Sequence, residues 1–109
     1  MSEELSAEAS VFIVAESDET LAGFAVARLY PPNLELLDIA VAAQRQGVGR
    51  ALIEALKSEA AGCDRITLEV SAKNEAGLAF YKAVGFVVVG RRPNFYTDAD
   101  AVLMDLPLS

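Results

Sequence analysis

The sequence predicts an α/β fold of the α+β kind: a mixed sheet of about six to seven strands carrying two main helices. Three observations point there. Residues 65–70 alternate, with Ile66, Leu68 and Val70 on one side and Arg65, Thr67 and Glu69 on the other, which is the period of a strand. Two stretches of helical period are each followed by a glycine, Gly62 and Gly85, the residue that most often turns a chain out of a helix. An apolar strand-like run at 34–41, the first helix and the strand at 65–70 follow in that order, which calls for a right-handed crossover and parallel pairing.

The elements justify themselves in chain order. Residues 10–15 favour extended structure, 16–20 are polar and 21–30 are again mostly apolar, which reads as a hairpin. Pro31, Pro32 and Asn33 break the chain before residues 34–41, whose run Leu36-Leu37-Asp38-Ile39-Ala40-Val41 is apolar enough for a central strand. Val48, Leu52, Ala55 or Leu56, and Glu59 mark successive helical turns, with Gly62 expected as the cap. Residues 74–84 read as the second helix, ended by Gly85. Residues 86–91 read as a strand, 94–100 as a polar loop and 101–106 as the last strand. With 109 residues, 53% of them apolar, residues 1–109 are expected to form one domain around one core.

Composition excludes several chemistries. The chain has no histidine and one cysteine, Cys63, which removes the usual serine and cysteine triads, an internal disulfide framework and thiolate or imidazole metal sites. No metal is expected, and acid–base work falls to carboxylates, tyrosine, lysine or water. Cys63 reads as a packing residue, having no histidine or evident cationic setting to activate it. The net charge of −7 argues against nucleic acid, whose binding needs clustered cations. No run approaches the roughly 20 apolar residues of a membrane span, and the acidic start MSEELSAEAS does not read as a secretory signal. The expected setting is the cytoplasm.

Gln44-Arg45-Gln46-Gly47-Val48-Gly49-Arg50 lies between a buried strand and a helix. There, unpaired backbone N–H groups and the helix dipole attract anions, and glycines let a phosphate approach the main chain. The spacing fits neither G-x-G-x-x-G nor G-x-x-x-x-G-K-[ST]. It matches Q/R-x-x-G-x-G/A, the coenzyme A signature of the GNAT superfamily of N-acetyltransferases. The chain resembles that superfamily over nearly its whole length, and within it the RimI type, ribosomal-protein alanine N-acetyltransferases. The stretches that carry the resemblance are LLDIAV, QRQGVGRALIEAL, LEVSAKNEAGLAFYKAVGF and GRRPNFY.

The resemblance implies acetyl-CoA as cosubstrate and direct attack by an amine in a ternary complex, with a peptide N-terminus as one acceptor. The main chain of Ile39, Ala40 and Val41 would meet the acetyl-pantetheine arm as a strand edge. The pyrophosphate contacts would fall on Arg45, Gln46, Gly47, Val48, Gly49 and Arg50. Glu69, the glutamate of the LEV triplet, would be the general base, and Tyr81, with an ordinary pKa near 10, the acid that protonates the departing thiolate. Asn74 and Tyr81 are seven residues apart and so share one line along a helix, where a single ligand would meet both. Ala76, Ala79, Phe80 and Ala83 make a separate apolar face expected to bury against the sheet. The resemblance also implies that Arg91, Arg92, Asn94, Phe95 and Tyr96 lie where family members shape the acceptor site; Arg91 and Arg92 could bind a carboxylate or a substrate backbone, but as two arginines at a strand end they are read as solvated.

The sequence departs from the family pattern in having about ten residues ahead of its first strand. The resemblance therefore implies an N-terminally truncated form: the cofactor half intact, part of the acceptor wall missing and a symmetric partner, a homodimer, to supply it. A second reading is a coenzyme A-binding module without turnover, an acetyl-CoA sensor. Glu69 and Tyr81 favour the enzyme.

Overall fold

The computed structural model describes residues 9–17, 20–42 and 47–108. Six strands and two helices follow in the order β1 (Ala9–Ser17), β2 (Thr20–Tyr30), β3 (Asn33–Val41), α1 (Val48–Glu59), β4 (Arg65–Ser71), α2 (Glu75–Ala83), β5 (Val87–Tyr96) and β6 (Ala99–Pro107). They form one sheet ordered β1-β2-β3-β4-β6-β5. β3 and β4 are parallel, as the strand–helix–strand order requires, and every other pairing is antiparallel. β6 inserts between β4 and β5, so the second crossover does not join neighbours.

Alternation along the strands decides which face meets the helices. Ile66, Leu68 and Val70 of β4 face the same way as Leu34 and Leu36 of β3 and Val102, Met104 and Leu106 of β6, all buried. Onto that face α1 lays Leu52, Ile53 and Leu56, and α2 adds Leu78, Phe80, Tyr81 and Val84 to the same cluster. The largest side chains wholly enclosed are Leu34, Leu52, Ile53, Leu56, Ile66, Met104 and Val102. Each such burial is worth about 1.5–3 kcal/mol over leaving the side chain in water. The opposite face carries Phe12, Val14, Leu37 and Glu69, all exposed. No helix among the described residues is long and apolar enough to cross a membrane.

Three details differ from the sequence reading. The cap of α1 is Ala60, whose N–H returns to the Lys57 carbonyl, and Gly62, at φ 87°, reverses the chain two residues later. β5 runs on through Tyr96 where a loop was expected, with Asn94 at φ 55° inside an irregular stretch of pairing. The Ala76, Ala79, Ala83 face of α2 is exposed. The helix docks instead through the Leu78–Tyr81 side, because those larger side chains remove more apolar area from water than alanines do.

Candidate active site

The site begins where the sheet parts. β3 and β4 pair only at Asn33↔Arg65, Leu34↔Ile66 and Glu35↔Thr67. At that base the Arg65 guanidinium donates to Asn33 Oδ1 at 2.8 Å and the Asp64 N–H to the Pro32 carbonyl at 2.7 Å. Just beyond, Ala27 faces Leu36 while Val26 faces Asp38, so Leu37 is an extra residue in β3. A bulge of this kind bends its strand and sharpens the twist, and β3 leaves β4. No strand of the described residues pairs with that edge of β3 past Glu35.

The gap is a cavity of about 330 Å³ whose walls include Asp38 and Ile39 from β3, Glu69 from β4, Asn74 and Tyr81 at α2, and Tyr96 from β5. A second cavity, of about 290 Å³, shares Ile39, Asn74 and Tyr81 and adds Val41, Gly49 and Phe80. Ile39, Asn74 and Tyr81 are thus a common wall of the two.

α1 opens with Gly47 in the left-handed region, φ 84° and ψ −14°, and no side chain caps it. The first helical bond runs from the Ala51 N–H to the Gly47 carbonyl at 2.9 Å. The N–H groups of Val48, Gly49 and Arg50 therefore precede the helical ladder without an intrahelical acceptor, at the positive end of the dipole. Gly49 is buried, and a Cβ there would lie 3.0 Å from the Phe80 ring. Its smallness thus lets α1 close on α2, a reason different from the phosphate approach read from sequence. Gly47 has nothing within 4 Å of such a Cβ; its positive φ is what calls for glycine.

The candidate residues sort as follows. Ile39 and Val41 line the cleft, while Ala40 is exposed on β3 without lining either cavity. Gly47, Val48 and Arg50 open α1 next to Gly49, which alone among them lines the second cavity. Arg45 and Gln46 lie outside the described residues. Asn74 is the N-cap of α2 rather than a residue of its first turn, with Oδ1 accepting from the Gly77 N–H at 2.9 Å. That leaves its amide N–H₂ turned to other partners. An extended ligand carrying a diphosphate fits this donor set: a helix start for the anion, an unpaired strand edge for an amide-bearing arm, and an amide at the far wall.

Glu69 and Tyr81 line the same cavity. Tyr81 is half-buried, edge-on to Phe80 and Phe86 with ring centres 5.4 and 5.5 Å away. Burial holds its phenol above the ordinary value of 10.0, and the charge of Asp38 pushes the same way. Glu69 Oε2 is ion-paired with Arg92 Nε at 3.1 Å, and the Arg92 guanidinium sits 5.5 Å from the centre of the Phe95 ring.

Three residues of this site lie outside those the sequence singles out for the chemistry: Arg92, Tyr96 and Asp38. Arg92 and Tyr96 fall in the stretch expected to shape the acceptor site, but an arginine at a strand end reads as solvated and Tyr96 lies in the expected loop. Asp38 is hidden in an apolar run. A second missed residue type is Gly23: a Cβ there would stand 2.7 Å from the Ala40 carbonyl oxygen and 3.1 Å from Val48, so its absence seats α1 on the end of β3.

Residues 1–86 match the acetyltransferase (GNAT) family. The chain belongs to that family. It is 38% identical over 101 residues to the [ribosomal protein bS18]-alanine N-acetyltransferase of Salmonella typhimurium, covering 85% of this chain and 68% of that protein. The crystal structure of the ribosomal-protein-S18-alanine N-acetyltransferase from Escherichia coli superposes with a TM-score of 0.81 at 37% identity, covering 92% of this chain and 70% of that one. An acetyltransferase from Bacillus anthracis, solved in complex with acetyl coenzyme A, superposes at 0.86 with 27% identity, covering 92% and 63%. The chain thus spans about two thirds of the length of these relatives. GNAT membership makes it an N-acetyltransferase by class, of the α/β fold the sequence predicts, and acetyl-CoA is the donor that the family uses. These relatives lend nothing to the reading as a binding module without turnover.

Proposed function

We propose that this chain moves an acetyl group from acetyl-CoA onto a primary amine, the N-terminal α-amine of a protein, by direct attack with both substrates bound, and that it acts in the cytoplasm. The observation that carries the reading is that Glu69 and Tyr81 line one cavity with the unpaired edge of β3, beside a second cavity that shares Ile39, Asn74 and Tyr81 and reaches Gly49 at the start of α1. The shared hydrophobic cluster supports treating residues 1–109 as one domain.

Bound acetyl-CoA supplies a thioester carbonyl for the amine to attack and a thiolate that departs. The N–H groups of Val48, Gly49 and Arg50 hold the diphosphate beside Gly47, and the family resemblance assigns Arg45 and Gln46 to the same contacts. The main chain of Ile39, Ala40 and Val41 receives the pantetheine arm as an added strand, and the Asn74 amide holds it from the α2 side. A free α-amine has a pKa of about 7.7 to 8.0, so near neutral pH it arrives mostly as an ammonium and must lose a proton before it attacks. Glu69, with one oxygen fixed by Arg92, takes that proton directly or through a water. A main-chain N–H at the β3 edge meets the negative charge that develops on the carbonyl oxygen. Tyr81, kept neutral by its surroundings, gives its proton to the departing sulfur.

The test is thiol release from acetyl-CoA with a panel of peptides and small amines, wild type beside Glu69→Gln and Tyr81→Phe. Each substitution is expected to lower kcat by about 10²–10⁴-fold while acetyl-CoA binding persists. Tight acetyl-CoA binding with no transfer to any acceptor would overturn the proposal.

A further inference from the structure

Two carboxylates line the cleft, and their surroundings differ. Glu69 already has a cation, Arg92, at 3.1 Å. Asp38, on the β3 wall, has no ion pair or hydrogen bond to any described residue. The arginine of β2 nearest it along its own face, Arg28, is engaged by Glu35 at 3.7 Å. Of the charges lining the cavity, the one left without a counter-charge among the described residues is therefore Asp38.

The place of Asp38 is built rather than incidental. Leu34 and Leu36 point into the core, and strict alternation would send Asp38 after them, an unpaired carboxylate in an apolar interior. The extra residue Leu37 resets the register, so that Asp38 pairs with Val26 on the other face while Ile39 returns to the core side opposite Ala25. Its charge nonetheless reaches Tyr81 through the gap, which puts it within range of the group that a substrate must approach.

We propose that Asp38 is the acceptor-recognition residue of the site, binding the incoming primary amine in its ammonium form and so selecting cationic amines over neutral groups of the same shape. The inference rests on the function proposed above and names how its acceptor is recognised. The division of labour is physical: a carboxylate shared with a guanidinium attracts a second cation weakly, whereas an unshared one attracts it fully. Asp38 holds the ammonium at the mouth, and Glu69 takes the proton.

The experiment is calorimetric titration of the coenzyme A-bound protein with an alanyl tetrapeptide amide and with its propionyl counterpart, which lacks the α-amine. A charge-assisted contact predicts that wild type binds the amine about tenfold more tightly than the propionyl peptide, and that Asp38→Asn reduces the ratio to within about twofold. Glu35→Gln, which removes a carboxylate of the same strand that lines neither cavity, is expected to keep the tenfold ratio. Coenzyme A affinity and circular dichroism confirm that each variant is folded. An undiminished ratio in Asp38→Asn, or an equal loss in Glu35→Gln, overturns the role of Asp38. A wild type that shows the preference yet releases no thiol with the same peptide overturns the transfer reaction instead.

Discussion

Arg92 Nε stands 3.1 Å from Glu69 Oε2 in an ion pair although their strands are not neighbours. β6 lies between β4 and β5, and the register sets Arg92 beside Ala101, itself beside Ser71, two residues along from Glu69. The small Ala101 leaves a path for the guanidinium to cross. Arg92→Met is expected to lower kcat about tenfold, the equivalent of about 1.4 kcal/mol in the barrier, and Arg92→Lys to recover part of it. Steady-state kinetics check this. Thermal stability should scarcely move, since exposed ion pairs contribute about 0–1 kcal/mol.

Asn74 has two duties that substitutions can separate. Asn74→Ala removes the α2 cap and is expected to cost about 1 kcal/mol. Asn74→Asp keeps an oxygen for the Gly77 N–H but loses the amide donor, so stability is retained while acetyl-CoA binds more weakly. Urea unfolding and calorimetry on the two variants test the separation.

The two glycines of the loop should fail for different reasons. Gly47→Ala meets no neighbour but must hold a positive φ, at about 1–2 kcal/mol. Gly49→Ala pushes a methyl against Phe80, and overpacking of about 1–3 kcal/mol outweighs the roughly 1 kcal/mol gained in helix propensity. Phe80→Leu is expected to rescue Gly49→Ala and not Gly47→Ala, read as a double-mutant cycle of melting temperatures.

Tyr81 makes a prediction about pH. Its pKa is raised above 10.0 in the folded chain, so the unfolded chain releases this proton first as pH rises. Its contribution to stability is fully present below pH 10 and is lost as pH climbs through the folded value. Between pH 9 and 11, Tyr81→Phe should therefore lose less stability than wild type by urea unfolding. Equal losses would show that the phenol does not titrate late.

Much of the fold was legible because it follows from period. The alternation of residues 65–70 and the apolar steps Leu52, Ile53 and Leu56 say which face is buried, whatever the partner. The unread parts depend on relations across distance. Nothing near Leu37 announces an extra residue in β3; the bulge exists because Ala27 and Val26 of another strand hold Leu36 and Asp38 in place. Arg92 becomes a partner of Glu69 only after β6 inserts between their strands. In α2, Ala76, Ala79, Phe80 and Ala83 read as one buried face; Phe80 does pack on the core, but bulk decides which side docks, and Leu78 and Tyr81 outweigh the three exposed alanines.

The three-residue pairing of β3 with β4 has a geometric consequence. β1-β2-β3 and β4-β6-β5 are each hydrogen-bonded in turn, and along the sheet they are joined only by that short seam. Past that seam Ile39 and Val70 meet across a cavity instead of across a ladder, so the width of the mouth follows from how far the two halves diverge.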